Sequence, residues 1–411
     1  MSLLPRALLS LSLIALTGCP AEPEPFVDSG RRDTSVPSDR AVIDTDVETD
    51  SGVAMMDASN PLPDASAMDS ARDAISAPDA RADAAPSCPC PPIPATCTPP
   101  EIDSPTFSPG TNALQTQLNN VVACATRTLD MALDQVNSPC FVDVILARLA
   151  AVPELQVRIV TDNDTCPIVM GARSCALSRL EGNPRVQIID DARSTLMHHK
   201  FIVADGTRVW VSSANMTRQS FCTDENNALV IEDAAAIASY SAEFRRMFET
   251  RSFGAIAPET APSPTARFGV YFSPRSSTTQ PPRWHAALID AINNARTSVD
   301  FAVSAFTRQD IADALSAAHR RGVRVRGIVD SSYAMEPAVL SIRMAGADVR
   351  TDSMHSKVLI VDSAIVTTGS ANWSTNAWTN NENSLWIRDT NVASVYRAQF
   401  DRSFPMATPL P

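Results

Sequence analysis

Along this chain of 411 residues, stretches of strand-like and helix-like apolar patterning alternate, and the alternation occurs twice. In the C-terminal part, Val270 to Phe272 reads as a short strand, Trp284 to Ala295 as a helix and Ser298 to Val303 as a strand. Gln309 to Arg320 places apolar residues at helical spacing, and Val323 to Val329 reads as the next strand. The N-terminal part repeats the order. Phe107-Ser108-Pro109 matches Phe272-Ser273-Pro274, Thr128-Leu129-Asp130 resembles Ser298-Val299-Asp300, and Val157 to Asp162 resembles Val325 to Asp330. A β-α-β-α-β order predicts an α/β fold of two similar halves, each a mainly parallel mixed sheet flanked by helices.

Before residue 105 this patterning is absent. Met1 to Gly18 has Arg6 followed by a short apolar run from Ala7 to Leu16, the composition of an export signal and too short for a membrane-spanning helix. It ends in Leu16-Thr17-Gly18-Cys19, which resembles the lipobox of bacterial lipoproteins. That resemblance implies a lipidated Cys19 and a chain exported and anchored to a bacterial membrane, on its periplasmic or cell-surface face. Residues 19–104 are Asp, Ala, Pro and Ser without apolar periodicity, so they are expected to form a disordered acidic tether. The two halves are then expected at 105–258 and 266–411.

Charge divides along the same boundary. The tether holds 17 acidic residues against five arginines, while everything from Pro105 onward holds 29 acidic and 28 basic residues. The acidity of the protein belongs to the tether, and a near-neutral body argues against broad non-specific binding of nucleic acid. Apart from Cys19 there are eight cysteines, all before Thr223, an even number that favours disulfides in an exported protein. Cys166 and Cys175 fall within the 11 residues by which the segment Asp162–His198 exceeds Asp330–His355, so they are expected to staple a surface insertion.

The candidate chemistry lies in two copies of His-x-Lys-x4-Asp. The chain contains 32 arginines but only two lysines, and both are in these motifs: His198-His199-Lys200 running to Asp205, and His355-Ser356-Lys357 running to Asp362. Each motif is expected on a hairpin, with its histidine and lysine on one face of a strand. Asp205 and Asp362 stand at the turn, where closing the turn is favoured over direct catalysis although both belong to the motif. At equal distances from the two histidines follow Ser213 and Ser370, Asn215 and Asn372, Glu225 and Glu382, and Asn226 and Asn383. Two sets of histidine, ammonium, amide and hydroxyl suit displacement at a phosphodiester. One imidazole attacks phosphorus, the other protonates the leaving oxygen, and the lysines and asparagines hold the non-bridging oxygens. Glu225 and Glu382 are candidates to fix the orientation of His198 and His355. No cluster of residues calls for a metal or other cofactor.

With its duplicated His-x-Lys-x4-Asp and following Gly-Ser-x-Asn signature, the chain from about Phe107 to Phe404 resembles the phospholipase D superfamily. The resemblance implies two α/β halves related by pseudo-twofold symmetry, one active site at their interface and a phosphohistidine intermediate formed without a metal. It groups His198, Lys200, Ser213, Asn215 and Glu225 in one half-site and His355, Lys357, Ser370, Asn372 and Glu382 in the other, with His198 as nucleophile and His355 as general acid. Ser212 departs from the signature glycine, which Gly369 supplies in the second copy, so a slightly different backbone is expected there. The expected substrate is a phospholipid at a membrane surface, hydrolysed at its head group by a monomer. The Asn380–Asn383 run also resembles the nuclease-like branch of the superfamily, which leaves nucleic acid as the alternative substrate and phosphatidyl transfer as a third activity. His199, His285 and His319 are expected to be structural, and Trp373, Trp378 and Trp386 either line a groove or pack in the core.

Overall fold

A computed structural model of the protein describes residues 88–254, 261–274 and 280–410; the expected signal, Cys19 and most of the tether lie outside the described residues. The first half runs β1 (Thr106–Ser108), α1 (Ala113–Cys124), β2 (Thr128–Leu133), α2 (Pro139–Ala151) and β3 (Gln156–Thr161). A small hairpin, β4 (Ile168–Val169) and β5 (Ala172–Arg173), precedes β6 (Val186–Asp190), β7 (Lys200–Ala204) and β8 (Arg208–Ser212). Then come α3 (Arg218–Cys222), β9 (Asn226–Ile231) and α4 (Ala234–Phe248). The second half repeats the plan with β10 (Phe268–Ser273), α5 (Arg283–Asn294), β11 (Ser298–Val303), α6 (Gln309–Arg320) and β12 (Arg324–Asp330). It continues through α7 (Pro337–Met344), β13 (Asp348–Asp352), β14 (Lys357–Val361), β15 (Ile365–Gly369), β16 (Glu382–Ile387), α8 (Thr390–Ser403) and β17 (Thr408–Pro409).

Both sheets are mixed, with strand orders β1-β9-β8-β7-β2-β3-β6 and β10-β16-β15-β14-β11-β12-β13-β17. The expected balance needs correcting. Parallel pairing is confined to β2-β3-β6 and β11-β12-β13, and the other pairs are antiparallel. The cause is the hairpin chemistry of the motifs: Asp205-Gly206 and Asp362-Ser363 adopt positive φ at the turn, so β7-β8 and β14-β15 return directly instead of crossing over through a helix.

The core has three layers. Leu118, Val122, Phe141 and Ile145 of α1 and α2 bury one face of the first sheet, and Trp284, Ile292, Ile311 and Leu315 of α5 and α6 bury the matching face of the second. Between the sheets lies a shared core in which Phe201 and Val211 meet Phe272, Val358 and Leu385, together with Tyr240 and Phe244 of α4 and Tyr396 and Phe400 of α8. Burial of this apolar surface holds the halves as one body and brings the segments before β7 and β14 against those before β16 and β9 of the opposite half.

All eight later cysteines are paired: Cys88–Cys222, Cys90–Cys140, Cys97–Cys124 and Cys166–Cys175. The last pair staples the hairpin insertion as expected. The first three correct the extent of the tether, because residues 88–104 are fastened to the first half by Cys88, Cys90 and Cys97. Their Pro-rich composition hid this, since covalent links do the work that apolar burial could not.

Candidate active site

Each motif histidine precedes its strand and is pinned by backbone of the opposite half. His198 N–H donates to Asn381 O at 3.0 Å, and His355 N–H donates to Glu225 O at 3.0 Å. The lysines begin β7 and β14 and fold back, Lys200 Nζ donating to His198 O at 2.9 Å and Lys357 Nζ to His355 O at 2.6 Å. Both ammonium groups are buried, so their charge acts through a medium much less polar than water. His198, His355 and Asn215 line a cavity of about 610 Å³ between the halves, whose described walls include Gln135, Ser304, Asp224, Asp330 and Tyr333 but no Arg or Lys.

The carboxylates correct the expected half-sites. Glu382 is buried and its Oε2 lies 2.8 Å from His198 Nδ1, so the glutamate of the second half orients the histidine of the first. His355 Nδ1 instead meets Asn226 Oδ1 at 2.9 Å. Asn226 Nδ2 donates to Ser220 O at 3.0 Å and Ser213 Oγ donates to Asn226 Oδ1 at 2.9 Å, which fixes the amide with its oxygen toward the ring. The His355 proton is therefore on Nδ1, leaving Nε2 for chemistry. Glu225 does not reach His355. It is half-buried and lines a separate small cavity with Tyr396, Phe400 and Ser403, where burial raises its carboxyl to about 7.

The physical reason is a one-residue difference between the copies. Asn227 N–H donates to Ser213 Oγ at 3.1 Å over a separation of 14 residues, and Asn383 N–H donates to Ser370 Oγ at 3.0 Å over 13. Counting equal distances from the histidines therefore paired Glu225 with Glu382, whereas the fold pairs Glu225 with Asn381 and Asn226 with Glu382.

The remaining candidates divide. Asn215 faces the cavity, while Asn372 is buried with its Oδ1 accepting from Ala305 N–H at 3.4 Å. Ser213 and Ser370 are buried and tie neighbouring strands, and Ser213 also holds the Asn226 amide behind His355. Asp205 and Asp362 are not brought to the site. They lie at the far ends of β7 and β14, roughly 16 Å of strand from the lysines. There Asp205 accepts from Thr126, Arg127 and Thr128, and Asp362 from Arg296, Thr297 and Ser298. Burial opposes ionisation of both, but these backbone donors outweigh it and hold the carboxyls below their ordinary range. Ser212 differs from Gly369 as expected: a Cβ at Gly369, with φ of 132°, would lie 2.4 Å from Asn383 O, whereas Ser212 Oγ donates to the matching Asn227 O at 2.8 Å. His199 is buried between Asn383 and Glu243, His285 bonds Asp310, and Trp373 and Trp386 are core residues.

Asp134 was not anticipated. Its Oδ2 lies 3.1 Å from Lys200 Nζ and 3.8 Å from His198 Nε2. Asp134 N–H donates to His199 O just as Ser304 N–H donates to Ser356 O, so Ser304 is its counterpart. The signal available was Leu133-Asp134-Gln135 against Val303-Ser304-Ala305.

Burial, with Lys200 second for His198 and Lys357 second for His355, holds both imidazoles well below their ordinary value. Burial likewise raises the Glu382 carboxyl to about 8 against the pull of Lys200. Both shifts act against two full opposite charges in a dry site, and the pair is joined by the short hydrogen bond between Nδ1 and Oε2. Asn380 Nδ2 donates to Glu382 Oε1 at 3.4 Å, and with Nδ1 held by Oε2, Nε2 is the ring nitrogen of His198 that Glu382 does not engage. Among the described residues, no group of three or more His, Cys, Asp or Glu is arranged to hold a metal ion.

Comparison with known proteins agrees with this geometry. The family described as "Cardiolipin synthase, PLD-like domain" matches residues 118–248 and 288–404. Proteins named mitochondrial cardiolipin hydrolase from Xenopus laevis and from Homo sapiens are 38% identical over 122 residues and 36% identical over 129. Those stretches are 28% and 30% of this chain, and the chain spans only about half the length of these relatives, 58% and 51%. The crystal structure of phosphatidylserine synthase from Haemophilus influenzae superposes with a TM-score of 0.56 at 14% identity, covering 76% of this chain and 88% of that one, a likeness of fold alone. With both copies of the repeat matched over more than half its length, the chain belongs to the phospholipase D superfamily.

Proposed function

We propose that the protein is a phosphodiesterase of phospholipase D type that hydrolyses phospholipid head groups through a phosphohistidine on His198. The observation that carries this reading is the pair of histidines at one cavity, each with Nδ1 engaged from the opposite half so that Nε2 is left for substrate, backed by two buried ammonium groups. His198 Nε2 attacks phosphorus, His355 protonates the leaving oxygen, and Lys200, Lys357 and Asn215 stabilise the charge on the non-bridging oxygens. Both half-sites come from one chain, so a monomer suffices. The cardiolipin hydrolases among its relatives favour a lipid substrate. The described cavity walls also lack the run of Arg and Lys that tracks a nucleic-acid backbone beyond the scissile phosphate, carrying Asp224 and Asp330 instead. The lipobox-like Leu16 to Cys19 supports attachment of the exported chain to a bacterial membrane through Cys19.

The test is turnover of labelled cardiolipin and phosphatidylcholine vesicles against single-stranded DNA by the purified protein, with EDTA present. Release of a phosphatidyl product from lipid, and loss of the protein from carbonate-washed membranes on Cys19→Ser substitution, are the expected results. Cleavage of DNA with intact lipid would replace this reading by the nuclease one.

A further inference from the structure

The two half-sites are not chemically equal. His198 has a carboxylate behind it, Glu382 at 2.8 Å, and His355 has a neutral amide, Asn226 at 2.9 Å, in the structurally matching place. The other charged groups near the rings are shared or favour the same side, except Asp224, which lines the cavity with His355 and matches the neutral Asn380 of the other half. Lys200 from β7 and Lys357 from β14 lie near both rings, and each histidine lies near the other. Asp134 lies beside His198, with His199 next in the chain but turned to Glu243, and Ser304 occupies the position matching Asp134 beside His355. Asp330 engages the backbone next to His355, accepting from Met354 N–H at 3.2 Å.

A carboxylate at Nδ1 stabilises an imidazolium, and an amide oxygen does so much less. In the first displacement His355 acts from its imidazolium form, protonated on both Nδ1 and Nε2: His198 Nε2 forms the P–N bond, the P–O bond to the leaving group breaks, and its electron pair takes the proton from His355 Nε2. In the second, water attacks phosphorus, His355 Nε2 takes the water proton, and the P–N pair returns to His198. His355 serves as acid in one step and base in the other, so whatever weakens its hold on a proton assists the first and retards the second.

We propose that Asn226 is a positioning residue that makes His355 a willing acid and a poor base, so that hydrolysis of phosphoryl-His198 is the slow step and the phosphorylated enzyme accumulates. The proposal rests on the double displacement described above. Glu382 serves the same intermediate from the other side, since its carboxylate stabilises the phosphorylated ring.

The experiment uses a 4-nitrophenyl phosphodiester with the full-length protein, reading both rapid-mixing kinetics and the fraction of phosphorylated enzyme in intact-protein mass spectra during turnover. The wild type should show a burst of about one nitrophenolate per site, a steady rate at least ten-fold slower, and more than half of the enzyme phosphorylated. Asn226→Asp, nearly isosteric, should raise the steady rate and lower the phosphorylated fraction several-fold. It should also move the rising limb of the steady-state pH profile upward by on the order of one unit. Asn226→Glu, which copies the other half-site, should act in the same direction. A wild type that is phosphorylated on histidine yet shows no burst overturns the proposal alone, as does an Asn226→Asp protein with unchanged burst and pH profile. Turnover with no phosphohistidine in any variant overturns the underlying double displacement instead.

Discussion

A histidine is given its role by the atom that its far nitrogen meets, and at this site that atom lies in the opposite half of the molecule. His198 and His355, with Lys200 and Lys357, were legible in the sequence because their two-residue spacing survives as a local contact, lysine Nζ to histidine carbonyl. The partners were not. Glu382 and Asn226 are reached through a register that differs by one residue between the copies, which only backbone pairing reveals. Glu225, displaced from the site by that shift, keeps a measurable consequence. Burial raises its carboxyl from an ordinary value near 4.5 to about 7, so the folded state binds this proton more tightly than the unfolded chain. That contribution to stability is complete below the unfolded value and is lost as pH rises through about 7. Glu225→Gln, which stays neutral, should therefore gain stability relative to the wild type between pH 5 and 8. Thermal melts of the two proteins across that range are the check, and parallel curves would contradict it.

At the scale of elements, hydrophobic period placed strands and helices well: β11 and α6 fall on the residues expected, Ser298–Val303 and Gln309–Arg320. Strand direction was less legible, because period two is the same in parallel and antiparallel ladders and only the turn decides. The motif aspartates belong to this scale. Asp362 gathers the N–H groups of Arg296, Thr297 and Ser298 where β11 begins beside the β14-β15 turn, as Asp205 gathers Thr126, Arg127 and Thr128 in the first half. Asp362→Ala should cost about 1–3 kcal/mol of stability, the usual consequence of leaving such donors without their acceptor. Turnover per folded molecule should stay close to wild type. Denaturant titration with active-site-normalised kinetics separates the two effects, and a stable but inactive variant would put Asp362 back into the chemistry.

The whole molecule is organised so that neither half has a complete site. Each motif histidine is anchored by backbone from the other half, Glu382 and Asn226 cross between halves, and the shared core of Phe201, Tyr240, Phe272, Tyr396 and Phe400 fixes the distance between them. The duplication was visible in the sequence, as was the pairing of Cys166 with Cys175. The fastening of residues 88–104 was not, because Cys88, Cys90 and Cys97 sit in a stretch that otherwise reads as tether. What the assembly exists to do, on this account, is hold two imidazoles in different roles on one phosphorus. The direct measurement is the rate at which His198→Asn and His355→Asn cleave an activated 4-nitrophenyl phosphodiester and the lipid substrate. Nitrophenolate leaves without protonation, so His355→Asn should retain its first-turnover burst while losing lipid turnover and the steady phase, where His355 serves as base, and His198→Asn should lose both. Substantial cleavage of either substrate by His198→Asn, or unimpaired lipid turnover by His355→Asn, would contradict the account.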